Sequence, residues 1–381
     1  MRIMSRLFRS TAVLALSLAL TLACAGCGHA VRGEFAPNHP GRQFDFRRPG
    51  CDPARRPAGT GPEEVFVRYL GAGGLYVEWR GTPILAGPFF SNPSFRRVLL
   101  GRLSADRVRI DGGLRGMDLA DVRAILVGHA HYDHLADVPE IAGSISRKAR
   151  IYVNQSGANM LAGVDSVKER VISLEEPDNQ TWIYTDDGNI RFRAVESGHA
   201  PLFWHLHFAR GEVKKAWEEG WDRRRFRHLK AGKTFAFVID LLDDLGAVRY
   251  RIYYQDSASP EGKGIPDFGE EHPPGYDLAV VCMASSQFVK NHPGGLFDKL
   301  QPRHALVTHY EDFARDPQRS LKFVALLTNG AANRFLGRVR TSLDPEGARG
   351  PADPVCGPSS PVSTMPLPGE WLRFRVSKGD S

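Results

Sequence analysis

The chain lacks the features of an integral membrane protein and of a nucleic-acid-binding protein. Its longest apolar stretch, Thr11–Ala23, has thirteen residues, which is too short for a confident membrane-spanning helix. The net charge is +7, and Arg2, Arg6 and Arg9 contribute three of those charges. Loss of these three with a leader would leave about +4, which is too mild to predict a nucleic-acid partner. No internal repeat is present, which excludes a repeat architecture.

The amino terminus has the features of a secretory leader. A basic start without acidic residues, a short apolar middle and small residues at the end predict a signal peptide over residues 1–27. Ala25-Gly26-Cys27 also resembles a bacterial lipoprotein cleavage site, although Cys24 stands where Leu is usual. We therefore expect export to the bacterial cell envelope, either into the periplasm or onto a membrane through a lipid on Cys27.

Composition divides the remaining chain into three parts. Residues 28–62 are rich in Pro, Gly and Arg, which predicts an extended tether. Residues 63–345 are enough for one sizeable core but not clearly for two domains. Residues 346–381 form a Pro/Gly-rich tail that ends in a strand-like run. Cys51 and Cys356 have matching loop contexts, so either a disulfide between them or two unpaired thiols fits the pattern.

The most informative segment is His129-Ala130-His131-Tyr132-Asp133-His134. It follows Gly128 and the apolar run Ala124–Val127, which has the length and composition of a buried strand. Three imidazoles and a carboxylate this close together would repel one another once protonated, and a divalent cation resolves the conflict. The spacing predicts two metals, because His129 and His131 can point to one side while Asp133 and His134 point to another.

This pattern resembles the signature of the metallo-β-lactamase superfamily. The resemblance implies an α/β fold of four layers, the αββα sandwich, with a two-metal hydrolytic site at one edge. Further ligand-type residues follow strand-like runs in the matching order, at His199, Asp256 and His309. By resemblance, the first metal is held by His129, His131 and His199, the second by Asp133, His134 and His309, and Asp256 bridges the two.

Each later ligand has a competitor nearby. His205 and His207 share one face of a strand-like run, where they either contact substrate or are polar residues of a half-exposed strand. Asp256 competes with Asp240, Asp243 and Asp244, which lie in or after the apolar run Phe235–Ile239, where a turn explains them. His304 begins the strand that precedes His309 and would point away from the site, which predicts a surface residue.

Two other positions bear on the branch of the superfamily. In the β-lactamases a Cys typically replaces the bridging Asp, whereas Cys282 lies inside an apolar strand and is interpreted as a small buried hydrophobe. This argues against lactam hydrolysis. The opening segment, Phe66–Ser91, is similar to the N-acylphosphatidylethanolamine phospholipase D-like group. That group carries Asp-Pro-Phe-Ser after its second strand, and here Gly87 replaces the Asp.

The resemblance implies hydrolysis by a hydroxide that two divalent cations share and acidify. Asp256 would position the hydroxide, and Asp133 would orient it or shuttle its proton. Zinc is the default metal for these ligands, and iron or manganese would also fit. The leaving group also needs a proton donor. The sequence does not choose among four candidates, His205, His207, His228 and His292.

Three functions remain open on the sequence. The first is hydrolysis of a phosphodiester, such as a phospholipid, and the second is hydrolysis of an ester, lactone or amide. The third is a non-catalytic envelope module that binds metal. A basic insert near 208–233, which interleaves Trp217, Trp221 and Phe226 with Arg and Lys, either binds an anionic substrate or lipid headgroups, or is a solvated loop. The expected partner is a small-molecule or lipid substrate.

Overall fold

The computed structural model describes residues 52–58, 61, 63–176, 181–201, 209–218, 220–267, 275–314, 321–324, 326–346, 359–360 and 362–376. The predicted leader with Cys27, most of the predicted tether, His205, His207, Cys51 and Cys356 lie outside these residues. Within them, no helix is both long and apolar enough to cross a membrane.

The described chain contains fifteen strands. They are β1 (Glu64–Gly71), β2 (Gly74–Trp79), β3 (Thr82–Ala86), β4 (Ala124–Leu126), β5 (Arg150–Val153), β6 (Val171–Ser173), β7 (Ile183–Tyr184), β8 (Ile190–Ser197), β9 (Thr234–Leu242), β10 (Val248–Tyr254), β11 (Leu278–Cys282), β12 (His304–Thr308), β13 (Ser359–Ser360), β14 (Ser363–Thr364) and β15 (Trp371–Arg375).

These strands form two mixed sheets. Sheet one has the order β15-β1-β2-β3-β4-β5-β6, and sheet two has the order β13-β14-β12-β11-β10-β9-β8-β7. In sheet one, the pairs from β15 to β3 are antiparallel and those from β3 to β6 are parallel. Sheet two repeats this pattern, with antiparallel pairs from β7 to β10 and parallel pairs from β10 to β14. The two sheets therefore share one internal plan.

Helices cover the outer faces of the sheets. The part of the chain described here contains α1 (Phe95–Leu100), α2 (Arg107–Leu114), α3 (Tyr132–Leu135), α4 (Val138–Glu140), α5 (Gln155–Leu161), α6 (Gly294–Leu300) and α7 (Asn329–Leu343). Helix α7 begins where the Thr328 side chain accepts a hydrogen bond from the Ala331 amide, which satisfies one of the free donors of the first turn. Its buried residues recur at helical spacing, so one face packs on the protein.

The core has two layers of apolar side chains on either side of sheet one. On β1, Val65, Val67 and Tyr69 point between the two sheets, whereas Phe66 and Leu70 point toward the helices. This alternation follows from the two-residue period of a strand. Helix α7 packs on the far side of sheet two. The order is helix, sheet, sheet, helix, so the predicted αββα sandwich is confirmed.

The topology brings particular strand ends together. Strands β10, β11 and β12 are parallel, and β8 runs in the same direction as β10 because both are antiparallel to β9. The carboxyl ends of β8, β10 and β12 therefore reach the same edge of sheet two. His199, Asp256 and His309 each follow one of these three ends by one or two residues.

Candidate metal centre

The predicted motif lies at the carboxyl end of β4. Gly128 follows this strand, and His131 precedes the first turn of α3. A side chain at Gly128 would place its Cβ 2.5 Å from Oδ2 of Asp256, so a glycine is required for sheet one to approach sheet two this closely. The imidazole of His134 and the carboxylate of Asp133 are both buried.

The first ligand group consists of His129, His131 and His199, whose ligand atoms all lie within 4.8 Å of one another. Nε2 of His129 is 3.1 Å from Nδ1 of His131. Nδ1 of His199 is 2.6 Å from the carbonyl oxygen of Ala200. An N–H at that position donates to the carbonyl, which leaves Nε2 of His199 free to bind a cation.

The second ligand group consists of Asp133, His134 and His309. Oδ2 of Asp133 is 3.4 Å from Nε2 of His134 and 3.3 Å from Nε2 of His309. The carboxylate therefore faces both imidazoles across a gap where the three donors converge. Three donors of this kind around one point suit a divalent cation.

Asp256 lies between the two groups. Its Oδ1 is 3.1 Å from Nδ1 of His129, and its Oδ2 is 3.7 Å from Nδ1 of His134. This carboxylate thus orients His129 through one oxygen and turns the other toward the second group. The geometry fits either a bridging ligand or an acceptor that aligns His129.

The donor set fits two divalent cations. Nε2 of His131, both ring nitrogens of His134 and Oδ2 of Asp256 are buried and have no hydrogen-bond partner. Each such atom would cost about 1–3 kcal/mol if it stayed unpaired. Cations bound by these imidazoles and carboxylates would satisfy them.

Burial and neighbouring charges set the protonation of the site in the metal-free protein. Burial lowers the pKa of His199 to about 3 and that of His134 to about 4, so both imidazoles are neutral at pH 7. Burial opposes the charge of Asp256, but interaction with the imidazoles of His129 and His134 outweighs it and lowers the carboxyl pKa. Burial likewise opposes protonation of His129, yet the Asp256 carboxylate raises its pKa.

His309 is held by a buried network that the sequence did not reveal. Its backbone has φ 55°, a conformation that costs a non-glycine residue about 1 kcal/mol or more. Its N–H donates to the Tyr69 hydroxyl at 2.9 Å, and that hydroxyl donates to the Glu311 carboxylate at 2.6 Å. Glu311 also accepts hydrogen bonds from the amides of Ala72 and Tyr310. No local pattern connects Tyr69 with Glu311, because 242 residues separate them.

Asp137 is a second supporting residue that the sequence analysis missed. Its carboxylate accepts hydrogen bonds from the amides of Phe90 and Ser91, at 2.7 and 2.8 Å, and from the Ser91 hydroxyl. It therefore ties the segment after β3 to the junction between α3, which carries His134, and α4. Burial raises the pKa of Asp137 to about 6, although each of these three hydrogen bonds lowers it. The sign of Asp137 that the sequence offers is its position three residues after the candidate ligand His134.

Gly87, where the phospholipase-like pattern has Asp, lies directly behind His134. Its φ is 47°, and a Cβ there would lie 3.2 Å from Nδ1 of His134 and 3.0 Å from the Tyr254 hydroxyl oxygen. This residue therefore contacts the ligand shell, although it supplies no ligand.

The other histidines of interest lie outside the ligand groups. Nε2 of His292 is 3.3 Å from the carbonyl oxygen of Cys282, and the ring packs against Phe335. His228 accepts a hydrogen bond from the amide of Arg225 within the basic insert. His304, predicted at the surface, is half-buried, with Nε2 3.0 Å from the Thr364 hydroxyl.

Two competitors of Asp256 have structural explanations. Asp240 lies fully buried inside β9, not in the predicted turn, and forms ion pairs with Arg191 at 2.9 Å and Arg251 at 2.7 Å. Cys282 is a buried free thiol whose pKa burial raises, in agreement with its interpretation as a small hydrophobe. Neither side chain belongs to a ligand group.

A cavity of about 240 Å³ opens beside the first ligand group. His131 and His199 form part of its wall, together with the charged residues Glu196, Arg210 and Lys233. Lys233 also pairs with Glu175 at 3.1 Å. The cavity therefore joins the candidate centre to a surface that carries both cationic and acidic side chains.

Comparison with known proteins found a family model and solved structures that are similar to this chain. Residues 84–215 match the family model described as a beta-lactamase superfamily domain. No curated protein matches the chain. Among solved structures, a metallo hydrolase from Ignicoccus hospitalis is 14% identical, with a TM-score of 0.43, and the match covers 82% of this chain and 99% of that one.

Two further solved structures give similar values. A protein from Veillonella parvula, described as a possible metal-dependent hydrolase, is 11% identical, with a TM-score of 0.46, and the match covers 81% of this chain and 98% of that one. A diiron β-hydroxylase from Streptomyces venezuelae is 13% identical, with a TM-score of 0.45, and the match covers 83% of this chain and 55% of that one. The range 84–215 contains the motif and His199, and the structure adds Asp256 and His309 from beyond it. Residues 84–215 of this chain are therefore similar to a beta-lactamase superfamily domain.

Proposed function

We propose that the protein is a two-metal hydrolase that acts on a phosphodiester. The observation that carries this proposal is the convergence of two ligand groups on Asp256, with a cavity beside them. When bound, two divalent cations would supply Lewis acidity to a water molecule and to the substrate oxygens. Zinc suits the histidine-rich first group, and iron or manganese would fit the same donors.

The two carboxylates are suited to different tasks. Asp256 is fully buried, whereas 7% of the surface of Asp133 is exposed to solvent. A buried carboxylate that touches His129 and His134 is fixed in place, so Asp256 suits the positioning of ligands and of the attacking water. Asp133 is slightly exposed, so its carboxylate suits orienting the attacking water or passing on the proton that the water loses.

The cavity favours an anionic substrate over a neutral one. In the described chain, Arg210 lines the cavity and forms no ion pair with a carboxylate, and Lys233 lies on the same wall. Arg210 can bind a charged oxygen of a phosphodiester, whereas Lys233 is already paired with Glu175. Neutral esters, lactones and amides would not use these charges, so they are the alternative substrates rather than the first choice.

Export completes the proposal. The basic, apolar and small-residue segments of the first 27 residues support secretion, and Cys27 supports a lipid anchor. The enzyme would then act in the cell envelope on a small-molecule or lipid phosphodiester.

The test combines metal analysis with a substrate panel. Wild-type protein is compared with His131→Ala/Asp256→Ala and with a matched control, His304→Ala/Asp244→Ala, whose residues lie outside the ligand groups. We expect about two metals per chain and cleavage of bis(p-nitrophenyl) phosphate, with both lost in the first variant and kept in the control.

Other outcomes decide between the alternatives. Bound metal with cleavage of p-nitrophenyl acetate or a lactone, but not of the diester, would move the function to ester hydrolysis. Bound metal without any hydrolysis would favour the metal-binding module. Absence of bound metal after incubation with zinc, iron and manganese would overturn the proposal.

A further inference from the structure

Two separate segments of the chain meet to form one strongly basic surface. Residues 95–105 contain α1, and residues 220–230 belong to the insert. Together they hold seven arginines, one lysine and a single acidic residue, Asp222. The amide of Leu103 donates to the carbonyl of Arg224 at 2.7 Å, and a β-bridge joins Arg102 to Arg225.

Most arginines of this surface form no ion pair with a carboxylate of the described residues. In the described part of the chain, no ion pair is formed by Arg96, Arg97, Arg102, Arg223, Arg225 or Arg227. Elsewhere, arginines such as Arg80, Arg191 and Arg251 do pair with aspartates at 2.7–2.9 Å. We call the six unpaired side chains the arginine surface.

The aromatic residues of the insert lie underneath this surface. Phe226 and Trp217 are buried, and the Phe226 ring packs 5.7 Å from the ring of Tyr132. The expectation that these aromatics contact a ligand is therefore wrong for Phe226 and Trp217, because they anchor the insert to the helical layer. Their burial holds the arginines in a fixed array beside the loop that carries the ligand motif.

Two further features characterise this surface. Leu100, at the end of α1, keeps 61% of its area exposed, and its carbonyl accepts a hydrogen bond from the Arg225 guanidinium at 2.9 Å. Burial and the surrounding charges of Arg227, Arg224 and Arg225 lower the pKa of His228, which is the response expected in a positive potential. Exposed aliphatic and guanidinium groups side by side match the interface of an anionic bilayer.

We propose that the arginine surface binds anionic lipid membranes. It would hold the protein by its own side chains, independently of any lipid on Cys27 and of the hydrolytic activity. An anionic bilayer offers many phosphates in one plane, so several guanidinium groups can engage at once. The exposed Leu100 side chain can enter the interfacial region of the bilayer. A soluble acidic partner has no such region.

The test uses the full chain with Cys27→Ser, so that no lipid can be attached. Co-sedimentation is measured with vesicles of phosphatidylcholine alone and with vesicles that contain 30% phosphatidylserine. The surface variant carries Arg96→Gln, Arg97→Gln, Arg223→Gln and Arg227→Gln. The control variant removes the same charge at exposed residues elsewhere, through Arg147→Gln, Arg334→Gln, Arg340→Gln and Arg375→Gln.

We expect the starting protein and the control variant to bind the anionic vesicles, and the surface variant to bind at least tenfold more weakly. All three should cleave bis(p-nitrophenyl) phosphate equally, which separates this proposal from the proposed function. Equal losses in both variants, equal binding to neutral vesicles, or no vesicle binding would overturn the proposal. Binding of duplex DNA or heparin through the same arginines, without vesicle binding, would also overturn it.

Discussion

The two sheets share one plan of strands but supply ligands to the metal centre in different ways. Sheet one gives four ligand-type residues from the six-residue segment after β4. Sheet two gives three, His199, Asp256 and His309, each from the end of a different strand. The local segment is fixed by its own turn and helix, whereas the three separate ligands depend on strand register. The ligands of sheet two should therefore be more sensitive to changes elsewhere in the fold.

Removal of one ligand from sheet two should have the largest effect. In His199→Ala the first ligand group loses a donor, and in His309→Ala the second group does. We expect each variant to keep about one metal instead of two and to lose at least about 100-fold in turnover, which exceeds the loss typical of residues that only orient a ligand. Elemental analysis beside the diester assay measures both effects, and retention of two metals in either variant would contradict the grouping.

A substitution at the contact between the sheets should break the site without touching a ligand. In Gly128→Ala the new Cβ would lie 2.5–2.6 Å from the oxygens of Asp256. We expect a loss of about 1–3 kcal/mol in the free energy of unfolding and a fall of at least tenfold in turnover. The control is Gly112→Ala, where a Cβ meets nothing within 4 Å. Similar results for both alanine variants would show that Asp256 does not require Gly128.

Loss of the Tyr69 hydroxyl should affect the second metal selectively. Tyr69→Phe removes the acceptor of the His309 amide and leaves Glu311 with one donor fewer. We expect the affinity for the second metal to fall about 10- to 100-fold, as for other groups that orient ligands, with the first metal unaffected. Stepwise metal titration measures this. Tyr310→Phe is the matched control, since that hydroxyl donates to the carbonyl of Pro366, and an equal effect there would indicate general destabilisation.

The smallest effect concerns protonation in the metal-free protein. The Asp256 carboxylate raises the pKa of His129 above 6.5, whereas burial lowers the pKa of His199 to about 3. As pH falls from 8 toward 5, we expect His129 to gain a proton while His199 stays neutral. Imidazole nitrogen NMR distinguishes the two rings. In Asp256→Asn the pKa of His129 should fall, and an unchanged value would remove Asp256 as its partner.

Much of the candidate site could be predicted from local sequence. The motif residues are neighbours in the chain, so their chemistry is visible without a fold. His199, Asp256 and His309 were found because each follows a strand-like run in the expected order. The apolar run Leu278–Cys282 is observed as β11, and the strand-like end of the tail is observed as β15, which pairs with β1.

Sequence reasoning failed where partners are distant in the chain. Tyr69 and Glu311 form a network at 2.6 Å across 242 residues, and each looks like an ordinary strand or loop residue alone. The insert had the composition of an amphipathic ligand-binding segment, yet its apolar side chains are used for packing. Composition cannot distinguish these two uses, because both need apolar residues among charged ones.

The sequence by itself determined the ligand types, the local cluster after β4 and the alternation that builds two sheets, since these depend on residues close together in the chain. Only the tertiary structure decided which oxygen of Asp256 faces which histidine, which residues support His309, and which arginines form one surface. These properties depend on distances between residues that the chain keeps far apart. Packing of the two sheets fixes those distances, and no local pattern records them.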